Sequence, residues 1–277
     1  MITLRPDYYD EFRCIADACR HTCCAGWEID IDEDSMALYR DCPDIMCHIK
    51  DSSFILQGEN ERCPFLNDKG LCDLILKYGE DILCDVCTEH PRFYNYQDDK
   101  EYIGLGLCCE AACDLILGRQ GEFRLIKGDI SPEGEIFGST PYDGLPFGID
   151  EVNNHSGRIS ELVSSILPED RGCEARAMAY LGLEHLESDW VDLLNAVRET
   201  PVVPDARDAY IDGNSREFRN LIIYFLYRHM GHRKIAAESV RLIAEIAVSS
   251  GLALAEVCRM YAAEIEYSDV NVDLIKE

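Results

Sequence analysis

The sequence predicts a mainly α protein: a cysteine-rich, metal-binding N-terminal lobe with short helices and few strands, followed by a helical C-terminal bundle. Three observations lead there. Thirteen of the 15 cysteines fall within residues 1–113, a density found in disulfide scaffolds and metal sites. Beyond residue 150, apolar residues recur at helical spacing. Between the two, Gly and Pro crowd together. The expected organisation is a cysteine-rich lobe over 1–120, a Gly/Pro-rich linker with short strands over 121–150, and a helical lobe over 151–277. A chain of 277 residues is long enough to bury a sizeable core.

Along the N-terminal lobe, Glu28-Ile29-Asp30-Ile31-Asp32 alternates as a short strand does. Leu71, Leu74, Ile75, Tyr78 and Ile82 give helical spacing over 71–83, and a helix is expected from Cys109 to Arg119. The stretch from Gly118 to Gly148 carries Gly118, Gly121, Gly128, Gly134, Gly138, Gly144 and Gly148 with Pro132, Pro141 and Pro146. Helices are then expected over 159–167, 175–197, 215–230, 235–250 and 252–266. Ser215 is the expected N-cap of the third, and Gly231 and Gly251 stand where helices end. Phe218, Leu221, Ile222, Phe225 and Leu226 form a continuous apolar face, that of a buried bundle helix.

The formal charge is −27. Nucleic-acid binders need a basic face, and membrane-surface binders a polybasic patch, so neither nucleic acid nor membrane is an expected partner. Residues 1–113 carry a net −14, whereas residues 215–264 carry +2. An acidic shell attracts cationic partners. No apolar run approaches the roughly 20 residues that span a bilayer, and the first residues lack the layout of a secretory signal, so a cytoplasmic location is expected. In a reducing compartment, and with an odd count, metal thiolates explain the cysteines better than disulfides or inert thiols do.

The cysteines fall in four groups: Cys14, Cys19, Cys23 and Cys24; Cys63 and Cys72; Cys84 and Cys87; and Cys108, Cys109 and Cys113. Soft thiolates select an iron–sulfur cluster or zinc. Adjacent Cys23 and Cys24 point apart in extended chain, so they serve two centres or one is a bystander. Cys173 and Cys258 stand alone on helical patterns and read as buried hydrophobes. Near the cysteines, Glu110 reads as a solvent-facing residue of a helix's first turn, Trp27 as packing over the metal centre, and His90 as structural. Arg92 either stabilises an anionic centre or forms a surface ion pair. The basic run Arg228, His229, His232, Arg233 and Lys234 complements a helix C-terminus; holding the carboxylate or phosphate of a small cofactor is the sharper alternative.

Together these residues resemble the flagellin lysine-N-methylase family. The likeness runs through Cys14, Cys19, Thr22-Cys23-Cys24-Ala25-Gly26-Trp27 and Ile29-Asp30-Ile31-Asp32. It continues in Cys63-Pro64-Phe65-Leu66, Gly70-Leu71-Cys72, Cys87 before Pro91-Arg92, and Cys108 before Glu110-Ala111-Ala112. It reaches Arg219-Asn220-Leu221-Ile222-Ile223-Tyr224-Phe225-Leu226-Tyr227-Arg228-His229 and Glu266-Tyr267-Ser268. The cysteine part also resembles a broader group with an eight-cysteine zinc- or iron-chelating domain. The resemblance implies Cys14, Cys19, Cys23, Cys24, Cys63, Cys72, Cys87 and Cys108 as metal ligands. Cys42, Cys47, Cys84, Cys109 and Cys113 are extra to that set. The family is associated with an iron–sulfur cluster, and 4Fe–4S is the form expected here, with zinc the alternative. It transfers methyl groups from S-adenosylmethionine to flagellin lysines, so flagellin or another lysine-bearing protein is the implied partner. The residues themselves show no glycine-rich cofactor turn and assign no catalytic or cofactor-binding residue. The competing class is a non-enzymatic zinc- or iron-chelating structural or redox protein.

Overall fold

The N-terminal segment Ile2-Thr3-Leu4-Arg5-Pro6 is the central strand of a five-stranded sheet. In this computed structural model, which describes residues 2–58, 60–130 and 136–277, the strands in chain order are β1 (Ile2–Pro6), β2 (Ile49–Lys50), β3 (Ser53–Phe54), β4 (Arg92–Gln97), β5 (Lys100–Leu105), β6 (Leu125–Ile130) and β7 (Ile136–Tyr142). The sheet order is β4-β5-β1-β6-β7, and β2 and β3 form a separate hairpin. Strand β1 runs parallel to β5, with Ile2 opposite Lys100, and antiparallel to β6, with Pro6 opposite Leu125. The chain divides into a cysteine-rich unit, Arg13–Arg92 with Cys109–Ala111, and a helical unit, Met1–Phe12, Phe93–Cys108 and Ala112–Glu277.

The mainly α class holds, but the expectation of few strands needs correcting. The strands not expected are β1, β4 and β5, within residues 1–120; β6 and β7 fall in the stretch where short strands were expected and pair antiparallel, with a register shift between Lys127 and Asp129. Pro132 and Gly134 of that stretch lie outside the described residues. Strand β5 carries Gly104, where an added Cβ would meet the Phe93 ring at 2.2 Å; glycine lets that ring lie directly on the strand. Tyr227 anchors its helix to the sheet, its hydroxyl 2.8 Å from the Leu4 carbonyl and 3.1 Å from that of Ile103.

The helical unit contains Ile149–Asn153, Ile159–Ile166, Cys173–Leu181, Ser188–Glu199, Pro204–Gly213, Ser215–Arg228, Arg233–Ser250, Leu254–Tyr261 and Asp269–Lys276. The helix expected over 175–197 is two helices parted near Gly182. Pro204–Gly213 and Asp269–Lys276 were not among the expected helices. Asn214, not Ser215, occupies the N-cap of Ser215–Arg228. Gly251 ends Arg233–Ser250 at φ 71°, as expected. Leu254–Tyr261 runs on as a π-helical turn, Ala262–Glu266.

Arg233–Ser250 is buried at every residue from Ile235 to Ala247. Three of those residues are charged, and each has a partner. Glu238 and Glu245 bind Arg176 at 3.2 and 2.6 Å, Arg241 donates to the Leu167 and Glu169 carbonyls at 2.7 and 2.9 Å, and Asp170 joins Arg176 and Arg207 at 2.5 and 2.6 Å. Such pairing is what makes the burial of charge tolerable. Among the described residues, no helix is long and apolar enough to cross a membrane.

Candidate metal centre

The cysteine-rich unit has little regular structure. Its helices are Glu33–Tyr39, Pro43–Met46, Asp73–Tyr78 and Asp85–Glu89. Its core is Ile29, Ile31, Tyr39, Ile45, Phe54, Phe65, Leu74 and Ile82 with Cys63 and Cys84, and Cys24, Cys72 and Cys87 pack against it. The strand expected over 28–32 is reduced to a bridge from Asp30 to Ser53; Asp32 caps Glu33–Tyr39, accepting from Ser35 N at 2.8 Å, and also accepts from Asp85 N at 2.9 Å. That carboxylate ties two of the short helices together.

Local backbone geometry brings the thiols to this core. Cys63 N donates to the Cys24 carbonyl at 2.8 Å, beside the Ala25–Arg62 bridge. A turn then folds 63–72 back on itself: Asn67 Oδ1 accepts from Lys69 N and Leu71 N, Gly70 takes φ 74°, and Leu66 bridges to Cys72. An aspartate or asparagine closing such a turn through its own side chain is familiar loop chemistry. Cys84 is the N-cap of Asp85–Glu89, so Cys84 and Cys87 lie on one face of its first turn.

The thiols feel one another. The Cys84 thiol is drawn down to about 7 by its hydrogen bond with Cys87, whose own proton is held far more tightly by the same bond and by burial. Cys87 also senses the charges of Cys24 and Cys63, and burial raises Cys63 to about 12, with Cys24, Cys72 and Cys84 adding to the rise. Cys24, Cys63, Cys72, Cys84 and Cys87 thus form one interacting set. A second set is Cys14, Cys19, Cys23 and Cys109. Cys23 senses Cys14 and Cys109, and Cys19 senses Cys14 and donates to Glu110 Oε2 at 3.7 Å. Adjacent Cys23 and Cys24 share a proton, which lowers Cys24 to about 6 and raises Cys23 strongly. Among the described residues, no group of three or more His, Cys, Asp or Glu side chains stands in metal-holding geometry. The donor chemistry suits a soft metal.

Several neighbours depart from their expected roles. Glu110 is not solvent-facing: its side chain is 13% exposed and takes the Arg20 Nε and backbone N–H, each at 2.9 Å. Those bonds outweigh burial and hold its carboxyl below the usual range. Trp27 packs on the core, donates to the Cys23 carbonyl at 2.6 Å, and lies 6.1 Å from the His90 ring. Burial, and then Arg92, lower His90 to about 4. Arg92 donates to the Thr88 carbonyl at 3.1 Å. Cys42 packs at the edge of the core, and Cys47 is exposed.

Known proteins share part of this chain. Over 126 residues it is 26% identical to the "Lysine-N-methylase" of Salmonella typhimurium and, equally, to that of Salmonella choleraesuis; the match covers 40% of this chain and 31% of each of theirs. It is 25% identical over 126 residues to the "Flagellar biosynthetic protein FliU" of Salmonella muenchen, covering 40% of this chain and 75% of that one. Over that stretch the chain is similar to proteins named lysine-N-methylase. It spans about a third of the length of the two proteins that carry that name. No family model matches the chain, and no solved structure matches it.

Against the eight cysteines implied by the lysine-N-methylase resemblance, two placements stand out. Cys84, extra to that set, is fully buried beside Cys87; its CxxC spacing with Cys87 is the signal that could have found it. Cys108 belongs to the helical unit, where its thiol donates to the Tyr267 hydroxyl at 3.1 Å. Cys113 and Cys258 are also in that unit, and Cys258 is not alone: burial, and then the neighbouring Cys113 thiol, hold its proton well above the ordinary thiol range. Only Cys173 keeps to the solitary reading, its sulfur accepting from Val202 N at 3.3 Å.

A polar group missed in the sequence lies in the helical unit. Glu266, on the π-helical turn, accepts from the Tyr224 hydroxyl at 2.6 Å and stands 3.0 Å from His229 Nε2. Arg228 lies over the Phe93 ring at 4.2 Å and donates to the Glu266 carbonyl at 3.3 Å. Arg228 and His229 therefore bind particular partners rather than simply complementing a helix end. A π-turn is a frequent mark of functional positions.

Proposed function

We propose that the protein is a protein-lysine N-methyltransferase that takes its methyl group from S-adenosylmethionine, acts on flagellin or a similar lysine-bearing protein, and holds a thiolate-ligated iron–sulfur cluster in its cysteine-rich unit. The observation that carries this reading is the gathering of Cys24, Cys63, Cys72, Cys84 and Cys87 in one core, in a chain related to proteins named lysine-N-methylase. Those five thiols are the pool from which a four-ligand set is drawn, and metal uptake closes the sulfurs on one point. A bound cluster supplies iron–thiolate bonds that join the three stretches 24, 63–72 and 84–87. Zinc on the same thiols would join them equally well.

The chain's own contribution to methyl transfer is electrostatic. A lysine must be neutral to attack a methyl group, yet its ordinary pKa is about 10.4. A base or an apolar pocket has to remove that proton. The net charge of −27 collects cationic lysine segments from solution.

One observation favours a second reading. The thiols lie within a hydrophobic core, a position suited to a structural staple in a non-enzymatic zinc- or iron-chelating protein. Anaerobic purification separates the readings. Bound iron and sulfide with broad absorption near about 400 nm support the cluster; colourless protein with stoichiometric zinc supports the staple. Label passing from S-adenosylmethionine to flagellin lysines supports the enzyme, and an intact centre without labelled lysine defeats it.

A further inference from the structure

Three helices of the helical unit meet around a cavity of about 240 Å³. Cys173–Leu181 contributes Tyr180, Arg233–Ser250 contributes Glu238, and Asp269–Lys276 contributes Leu274 and Ile275; Arg171 and Leu183 also line it. That volume falls a little short of the ~300 Å³ at which pockets for drug-sized molecules begin, so it suits a ligand of amino-acid size. The cavity holds an ion pair with spare capacity at both ends. Glu238 is 2% exposed. Its Oε2 is taken by Arg171 Nε at 3.0 Å and Arg176 Nε at 3.2 Å. Its Oε1 accepts no hydrogen bond among the described residues, and Arg241 Nη1 stands 3.6 Å from it, beyond hydrogen-bond reach. Arg171 has no partner but Glu238 among the described residues, which leaves its two terminal nitrogens free to donate. A buried carboxylate oxygen without a donor is costly, and this one belongs to a side chain that lines an open space. The charges beside the pair balance: Arg176 and Arg241 are answered by Glu245 and Asp170. A setting without excess charge favours a ligand that is itself neutral overall, a zwitterion, over a free anion or cation.

We propose that this cavity binds the α-amino-acid head group of a small molecule. The ligand carboxylate accepts from the terminal nitrogens of Arg171, its ammonium donates to Glu238 Oε1, and its side chain lies along Leu183, Leu274 and Ile275. Both polar contacts belong to one ion pair, so a single head group spans them and leaves Arg176 in place. Each is a charge-assisted bond, the stronger kind of hydrogen bond. Two sources carry this head: a free amino acid with an apolar side chain, such as methionine, and the methionine end of S-adenosylmethionine, whose adenosyl part extends outside the cavity. The inference rests on the helical unit alone, and stands or falls apart from the metal centre and from methyl transfer.

The test is calorimetric titration of the full chain with L-methionine and with S-adenosylhomocysteine. Beside them run two probes cut down from methionine, the decarboxylated amine and the acid without its amino group. The expected result is one-to-one binding of methionine, S-adenosylhomocysteine or both, weakened about tenfold or more for each cut-down probe and in Arg171→Gln. Leu274→Trp, at a half-exposed position, fills the cavity and weakens the same binding without touching the ion pair, so the test holds even if Arg171→Gln folds poorly. Methionine binding alone identifies a free amino acid as the source; S-adenosylhomocysteine binding that methionine displaces identifies the adenosylated one. No saturable binding of either compound at millimolar concentration overturns the proposal, as does binding that the cut-down probes share or that both variants leave unchanged.

Discussion

The two units of this protein are held together by different chemistry. In the helical unit, Arg233–Ser250 is surrounded on all sides, and its buried charges are matched by Arg176, Arg207 and Asp170. In the cysteine-rich unit, the longest helix among the described residues is Glu33–Tyr39, with 7 residues. The few apolar side chains there are interleaved with Cys24, Cys63, Cys72, Cys84 and Cys87. A single core of this size supplies only a modest margin of stability, so a metal or cross-link adds appreciably to it. One unit is thus built by packing and the other around sulfur.

The strongest way to break this contrast is to remove a thiol. Cys63→Ser and Cys72→Ser are expected to release the metal and to loosen residues 13–92, because a structural metal site contributes on the order of 10 kcal/mol to folding. Metal assay and hydrogen exchange by segment check this, and protection in 151–277 should persist. Unchanged metal content and unchanged exchange in both variants would erase the distinction between the units.

The converse substitution is Arg176→Ala. It leaves the buried Glu245 without its nearest cation and Glu238 without one of its partners, at a cost of about 3–5 kcal/mol. Chemical denaturation followed by helix signal should show that loss, with the metal content of the folded protein unaltered.

Acid sharpens the contrast further. Burial alone would raise the Asp170 carboxyl, but hydrogen bonds from Arg207 and Gly172 N and the charge of Arg176 hold it well below the carboxylate range. Its stabilisation is therefore present above its ordinary pKa of about 3.9 and is lost as pH falls below that value. The thermal midpoint of the unsubstituted chain should exceed that of Asp170→Asn at pH 7, and the gap should shrink below pH ~4. The smallest expected effect is that of Cys258→Ala on metal content, which should be none by elemental assay. A large loss would mean that sulfur from the helical unit serves the metal.

The helical unit was partly legible in the sequence. The apolar face Phe218, Leu221, Ile222, Phe225 and Leu226 marks Ser215–Arg228, and all five residues are buried. The sheet was hidden because its central strand is only five residues long, contains Arg5 and ends in Pro6; its partners lie far along the chain. Pro204–Gly213 was hidden because Asp205, Arg207, Asp208 and Asp212 surround Ile211, its one buried apolar residue. In the cysteine-rich unit, density alone pointed to sulfur chemistry. Spacing did not tell which thiols meet, since that depends on turns such as Asn67–Gly70 that fold the chain back on itself. Hence Cys84 was set aside although it lies in the core, and Cys113 neighbours Cys258 on helices that no local pattern connects.

Elemental and sulfide analysis of protein purified without oxygen, paired with its absorption spectrum, tests most directly whether the thiols of the cysteine-rich unit bind a metal. Bound iron and sulfide, or stoichiometric zinc, lost on Cys63→Ser, is the predicted outcome. A folded protein that carries no metal, with Cys24, Cys63, Cys72, Cys84 and Cys87 all titrating as free thiols, would contradict it.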